Sequence, residues 1–360
     1  MLRPEHGLRL ADAAAGGSQY LAEIREQPAA LRRLLEHRSE YGPVADALAR
    51  KPLVRMVGHG SSDNAASYGV YAFGLLAGLT AIRDSISLSV YYDARLELAG
   101  STVIALSQSG RTPDVLEYVI RARRAGAFTV AITNEPDSAL AREAEATLPL
   151  AAGPERAVAA TKTYLTTLGA LALLAAHAGG RGDEVAGSIE QVADQLGRYL
   201  PVMERMVATI ALPFASVGRM FVIGRGPEFA TAREIALKLL ETCQIAAEPL
   251  TATDLAHGPV AALDPLFPVW AVAADDPTLD AVVEAVERSR AAGATVIASG
   301  TAAEALADSQ YVLPVPKPAE PLLAPLLSVV PGQLFAGTVA RARGLDPDSP
   351  RGLSKVTLAR

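Results

Sequence analysis

Compact apolar runs at residues 53–57, 103–106, 128–132 and 146–150 read as strands, with 86–91 as a further candidate. Between them, after Asp63 and over residues 113–125 and 137–143, apolar positions recur three and four apart, the spacing of helices. Strands that are apolar on both faces and alternate with helices predict a parallel sheet covered on both sides. Upstream, residues 18–49 are helical in pattern, with breaks expected at Pro28 and near Gly42-Pro43, and residues 1–17 are Ala/Gly-rich and weakly patterned, a mobile lead-in.

A long apolar helix opens at Thr161-Lys162-Thr163 and runs to about His177; a more polar one follows over about 183–212. The first pattern then begins again. Residues 219–223 read as a strand, Gly224-Arg225-Gly226-Pro227 as its turn, and the next helix ends near Cys243; 268–273, 294–298 and 311–315 read as later strands. Gly-x-Gly turns at 58–60 and 224–226 hold corresponding places, so the chain reads as an internal duplication. The expected organisation is a helical lead-in (1–50), a first α/β domain (51–180), a linking helix (181–212), a second α/β domain (213–343) and a C-terminal tail (344–360) laid over the site.

Chemistry concentrates where strands meet helices. Leu106 is followed by Ser107-Gln108-Ser109-Gly110-Arg111-Thr112 and then a helix, and Val57 by Gly58-His59-Gly60-Ser61-Ser62 and a helix. Backbone N–H groups at a helix start and serine or threonine hydroxyls suit a phosphate dianion. A plain Ser/Gly turn with Thr112 as helix cap is the alternative for the first stretch. The second half carries Ala273-Ala274-Asp275-Asp276-Pro277 at the matching place, where two carboxylates would repel phosphate, so one phosphate site is expected per chain.

On the helix after Gly226, Ala232, Ile235, Ala236, Leu239 and Cys243 form an apolar stripe, while Glu234, Lys238 and Glu241 fall on another face. A solvated, ion-paired face is the ordinary reading of such a set. Apolar surroundings and the ligand end of a parallel sheet argue instead for a carboxylate tuned for general-base work. His257 lies in a loop, Asp254-Leu255-Ala256-His257-Gly258-Pro259, and Lys355 close to the C-terminus.

The net charge of −6 argues against nucleic acid or an anionic membrane as partner, so an anionic substrate needs a local site. The single cysteine, Cys243, excludes an intramolecular disulfide framework and fits a buried thiol in a reducing compartment. No signal peptide is evident, stretches such as 165–178 are short for a bilayer span, and a cytoplasmic location is expected. No His/Asp/Glu set has ligand spacing, so neither metal nor cofactor is expected.

Seven segments, in order, resemble the sugar isomerase (SIS) family, and within it the isomerase half of glucosamine-6-phosphate synthases and their free-standing relatives. They are Glu23-Ile24-Arg25-Glu26-Gln27-Pro28, the 58–62 turn, the 107–112 turn, Val158-Ala159-Ala160-Thr161-Lys162, Ala236-Leu237-Lys238-Leu239-Leu240-Glu241, His257-Gly258-Pro259 and Gly352-Leu353-Ser354-Lys355. The resemblance implies two SIS domains, each a five-stranded parallel sheet flanked by helices, in a homodimer with shared active sites. It implies that Ser62, Ser107, Gln108, Ser109 and Thr112 hold a sugar phosphate, with Ser61, Val158, Ala159 and Ala160 near the sugar. Glu241 would move a proton between C1 and C2, His257, often from the partner, would open the ring, and Lys355 and Lys238 would assist. Arg111, Leu240 and Asp254 depart from the synthase pattern, and the N-terminal nucleophilic cysteine of a glutaminase domain is missing. The expected activity is therefore an amino-sugar phosphate isomerase/deaminase converting glucosamine 6-phosphate, or a close relative, to fructose 6-phosphate and ammonia. Alternatives are an isomerase subunit of an aminotransferase fed with ammonia by a partner, a fructosamine-phosphate deglycase, and a non-catalytic phosphosugar sensor.

Overall fold

The computed structural model describes residues 18–355; the expected mobile lead-in (1–17) and the end of the tail (356–360) lie outside the described residues. Three helices lead in: α1 (Gln19–Arg25), α2 (Gln27–Glu36) and α3 (Tyr41–Leu48). The chain breaks just ahead of the two prolines. Pro28 and Pro43 sit in the first turns of α2 and α3, where a missing N–H leaves no helical bond unmade.

The first sheet follows as β1 (Leu53–Val57), α4 (Ser61–Ala77), β2 (Thr80–Arg83), α5 (Ile86–Val90), β3 (Ser101–Leu106), α6 (Pro113–Arg124), β4 (Phe128–Thr133), α7 (Ala139–Glu143) and β5 (Ala146–Pro149). Helices α8 (Lys162–Ala178) and α9 (Gly182–Ile210) lead to the second, built from β6 (Arg219–Gly224), α10 (Glu228–Cys243), β7 (Ala246–Thr251), β8 (Val269–Val272), α11 (Leu279–Ala291), β9 (Val296–Gly300) and β10 (Tyr311–Pro314), and closed by α12 (Ala324–Ala342). Every strand pair is parallel. The strand orders, β2-β1-β3-β4-β5 and β7-β6-β8-β9-β10, are the same topology twice, as the repeated turns implied.

One expectation on strands fails, and two strands escape the sequence reading. Residues 86–90 form the short helix α5, in which Ile86 and Ser89, three apart, are buried and Leu88 is exposed, as is Tyr91 just after it, so the apparent alternation Ile-Ser-Leu-Ser-Val has helical, not sheet, periodicity. Two of the four edge strands, β2 and β7, escape the sequence reading because they lack an apolar run, β7 carrying Glu248 and Pro249, whereas the other edges, β5 and β10, are read at 146–150 and 311–315.

The two halves share a core. One apolar cluster runs from Val54, Met56 and Ile104 of the first sheet, through Leu168 and Leu171 of α8 and Ile189 of α9, to Val222 and Trp270 of the second sheet and Phe335 of α12. The stretch Pro321–Ala342, which includes α12, is long and apolar enough to cross a membrane, its most apolar 18-residue window having mean hydropathy 1.6, yet 94% of that window is buried inside the fold. Cys243 is buried with its Sγ 3.0 Å from the Ala336 carbonyl, and burial pushes its pKa up to about 11.

Candidate active site

In a 2-1-3-4-5 sheet the order reverses between β1 and β3, which opens a crevice beyond their carboxyl ends. The two serine-rich turns meet there. They approach so closely that a Cβ on Gly58 would lie 3.0 Å from the Leu106 carbonyl oxygen and 2.8 Å from Ser62 Cβ. Gly110, at φ +59°, has no room either: a Cβ would fall 2.0 Å from Ser138 Oγ. The 107–112 turn is held by its own bonds. Gly110 N–H donates to Ser107 Oγ (3.1 Å), Arg111 N–H to Ser109 Oγ (3.3 Å), and Asn134 N–H to the Gln108 carbonyl (3.1 Å). Thr112 Oγ1 faces Ser107 Oγ at 3.3 Å and does not cap its own helix.

The crevice is a cleft of about 480 Å³. Ser61, Ser62, Ser107, Gln108, Ser109 and Thr112 line it from the first half, Lys238 and Glu241 from α10, Val158 and Ala160 from the loop ahead of α8, and Lys355 from the tail. Two expected residues are not among them. Ala159 turns away between its neighbours and packs in the core. His257 is exposed at the end of the short helical turn Asp254–His257 and does not line the cleft of its own chain.

Helix α10 packs its apolar stripe as read, but its polar face is not solvated: it is pressed against α4. Glu234 and Lys238 are wholly buried there. Lys238 Nζ lies 2.6 Å from Glu241 Oε2 and 3.4 Å from Glu234 Oε1, while Glu234 also accepts from Ser61 Oγ and Asn64 Nδ2, both at 2.9 Å. Burial pushes the Glu234 pKa up. Burial opposes the charge of Lys238, but Glu234 and Glu241 outweigh it and hold the ammonium above its ordinary range. One fixed cation thus serves two carboxylates, of which Glu241 alone reaches the cleft.

Lys355 comes from the far end of the sequence and is held by Glu155. Its Nζ is 2.8 Å from Glu155 Oε2 and donates to the Ala157 carbonyl at 2.7 Å. Glu155 is fully buried and also accepts from Thr161 N–H (3.0 Å), Thr163 N–H (3.0 Å) and Thr163 Oγ1 (2.6 Å), so it caps α8 as well. Burial would raise its pKa; the charge of Lys355 and these hydrogen bonds overcome that and lower it. The tail is pinned upstream by Asp348. Its carboxylate accepts from Ser18 Oγ, Gln19 N–H and Tyr20 N–H, each at 2.7 Å, and its carbonyl accepts from Val158 N–H at 3.0 Å. Buried Glu23 fixes the same loop by accepting from the N–H groups of Arg156 (2.5 Å) and Ala157 (3.3 Å).

Several residues in and behind the cleft escape a reading by sequence. Glu155 caps a helix from six and eight positions upstream, outside any local capping pattern. His59 also lines the cleft, its Nε2 2.8 Å from Asp114 Oδ2, although each read only as part of a turn or of a first helical turn. Among the described residues no group of His, Cys, Asp and Glu has the arrangement of a metal site.

At the corresponding crevice of the second half, Asp276 Oδ1 accepts from Thr278 N–H (2.7 Å) and Thr278 Oγ1 (2.6 Å), and its Oδ2 would lie 3.7 Å from a Cβ on Gly226. A carboxylate of the chain itself stands at that helix start.

The SIS domain model matches residues 47–177 and 214–342. A glutamine–fructose-6-phosphate aminotransferase (isomerizing) of Thermus thermophilus is 36% identical over 350 residues, covering 93% of this chain; the chain spans 58% of the length of that relative. The solved C-terminal domain of glucosamine-fructose-6-phosphate aminotransferase from Francisella tularensis superposes with a TM-score of 0.85 at 27% identity, covering 93% of this chain and 99% of that one. Glucosamine-6-phosphate deaminase from Thermotoga maritima shares the fold, with a TM-score of 0.78 at 22% identity over 95% of this chain and 100% of that one. With two matched segments, two sheets of one topology and relatives along nearly its whole length, the chain belongs to the SIS domain family.

Proposed function

We propose that the chain is a sugar-phosphate isomerase of the aminotransferase type, interconverting fructose 6-phosphate plus ammonia with glucosamine 6-phosphate. One observation carries the reading: a hydroxyl-lined turn at a helix start, a carboxylate backed by a buried ammonium, and a second lysine share one cleft. Its volume, about 480 Å³, is within the range of small-molecule sites and ample for a hexose phosphate. The names of the aminotransferase relatives favour this over net deamination, which is the same chemistry run backwards.

In this reading Ser62, Ser107, Gln108, Ser109 and Thr112 grip the phosphate, remote from the reacting carbons, and align them with Glu241. Nitrogen adds at C2 of the open-chain ketose and water leaves. Glu241 takes a proton from C1 as the imine nitrogen gains one, giving an enolamine, and then returns its proton to C2 as the C1 hydroxyl loses its own and becomes the aldehyde. Lys238, kept charged between two carboxylates, holds Glu241 in position. Lys355 places an ammonium beside the C2 oxygen, or first forms an imine at C2 with loss of water, from which ammonia then displaces it. His257 would serve the ring only from a second copy of the chain.

The test is ammonia-dependent formation of glucosamine 6-phosphate from fructose 6-phosphate, with ammonia release as the reverse assay. Glu241→Gln is expected to lower kcat by at least about 10³-fold and to leave phosphosugar affinity within about threefold. Tight phosphosugar binding by the unaltered protein with no turnover in either direction would favour a sensor instead.

A further inference from the structure

The turns assigned to phosphate offer neutral donors: the hydroxyls of Ser62, Ser107, Ser109 and Thr112, the amide of Gln108 and backbone N–H groups. A phosphate ester is largely a dianion above about pH 6. A group beside these turns that can gain positive charge therefore changes how tightly the ligand is held. His59 is such a group. It lines the cleft from the turn that carries Ser61 and Ser62, with its side chain 56% exposed, and its Nε2 lies 2.8 Å from Oδ2 of Asp114. Asp114 itself is fixed: its side chain is 9% exposed and its Oδ1 accepts from Val115 N–H at 2.9 Å. Because Asp114 follows Thr112 by two residues, the pair stands where the two serine turns meet.

The state of the imidazole sets the charge at this end of the cleft. With His59 neutral, the Asp114 carboxylate is a net negative charge near the incoming phosphate and repels it. The imidazolium cancels that charge, keeps Nε2–H on Asp114 and makes Nδ1–H a charged donor. Other charges packed around the pair are matched in place. Glu117 pairs with Arg121 on α6, and Asp63 of α4 with Arg83 and Arg233. Across the cleft Lys238 serves Glu234 and Glu241, and Lys355 serves Glu155. Arg111, although in the phosphate turn, is exposed and does not line the cleft.

We propose that His59, oriented by Asp114, makes phosphate recognition in this cleft proton-linked, taking up a proton from solvent as a sugar phosphate dianion binds and returning it on release; this rests on the hexose-phosphate reading of the cleft. No covalent bond to carbon or phosphorus changes. Proton and phosphate each raise the affinity of the other by the same factor. Imidazole changes charge near neutrality, so affinity for the dianion falls as pH rises through that range. His59 is a binding residue that discriminates by charge, and Asp114 is a positioning residue.

The experiment is calorimetric titration with glucitol 6-phosphate, an open-chain hexitol phosphate that has no carbonyl and cannot turn over, between about pH 6.5 and 9 in buffers of different ionisation enthalpy. The unaltered protein is expected to bind about tenfold or more tighter at the lower pH than at the higher, and to take up as much as about one proton in between. His59→Asn should bind about tenfold or more weaker than the parent at the lower pH, match it within about threefold at the higher, and take up no proton. That convergence also shows the variant to be folded. His59→Arg, whose cation does not titrate in this range, should keep its affinity throughout. Asp114→Asn should move the pH dependence to lower pH. The same loss at every pH in His59→Asn would overturn the proposal and make His59 a structural group. So would proton uptake that persists in His59→Asn, or an unaltered protein that binds equally well across the range. Absence of binding by the unaltered protein at every pH would remove the hexose-phosphate reading itself, a result distinct from all of these.

Discussion

Replacing Glu155 by Gln tests whether Lys355 acts through its placement. The amide has nearly the same volume as the carboxylate but keeps only one acceptor oxygen. Glu155 meets donors on both sides: Thr161 N–H and Thr163 N–H at Oε1, Thr163 Oγ1 and Lys355 Nζ at Oε2. With its oxygen turned to the helix start, the amide NH2 faces Lys355, which is left with the Ala157 carbonyl alone. Loss of a charge-assisted bond at a lysine side chain that is 24% exposed costs on the order of 2 kcal/mol of folding stability. The catalytic loss is larger in relative terms, because a misplacement of about 1 Å costs roughly 10²-fold in rate. Steady-state assay with fructose 6-phosphate and ammonia should show kcat down about 10²-fold and KM, set by the serine turn, within about threefold. Unfolding followed against pH supplies a second readout. The lowered pKa of Glu155 means that its stabilisation is present above the unfolded carboxylate range and is lost as pH falls through the folded value. The Gln variant lacks that acid-side loss. A Glu155→Gln enzyme with unchanged kcat, alongside an inactive Lys355→Ala enzyme, would refute the reasoning.

Two further perturbations bear on the frame of the site. Gly110→Ala drives a Cβ to 2.0 Å from Ser138 Oγ at a backbone φ of +59°, so the phosphate turn must move; titration with inorganic phosphate should show affinity down at least about tenfold. Glu228, wholly buried at the start of α10, has its pKa raised by burial to about 7. Its effect is stabilising below the unfolded carboxylate value and is lost as pH rises through 7, so Glu228→Gln should match the parent near pH 4 and exceed it at pH 8 by about 3 kcal/mol at most in denaturant unfolding.

The sequence makes the central strands and the ligand end of the first sheet legible because β3, β8 and β9 are buried on both faces and spell it out as apolar runs. Edge strands β2 and β7 carry no such signal. The turns 58–62 and 107–112 announce themselves by composition, and α10 by periodicity. The burial of Glu234 and Lys238 is not announced, since it depends on α4, some 170 residues earlier, laying Ser61 and Asn64 against them. Lys355 is likewise uninformative until the fold brings it to Glu155, 200 positions away. Local chemistry shows in sequence; the partners that tune it are non-local.

Asp276 gives the duplicated fold an asymmetry in motion as well as in chemistry. A helix start with a carboxylate already seated on it resembles a site whose ligand never leaves. On the proposed reading the second half has little left to order at the start of α11 when a hexose phosphate binds in the first. On that reading the ordering cost of binding falls on the serine turns of the first half. Amide hydrogen exchange with and without a hexose phosphate should slow at residues 58–62 and 107–112 and be nearly unchanged at 224–227 and 273–278.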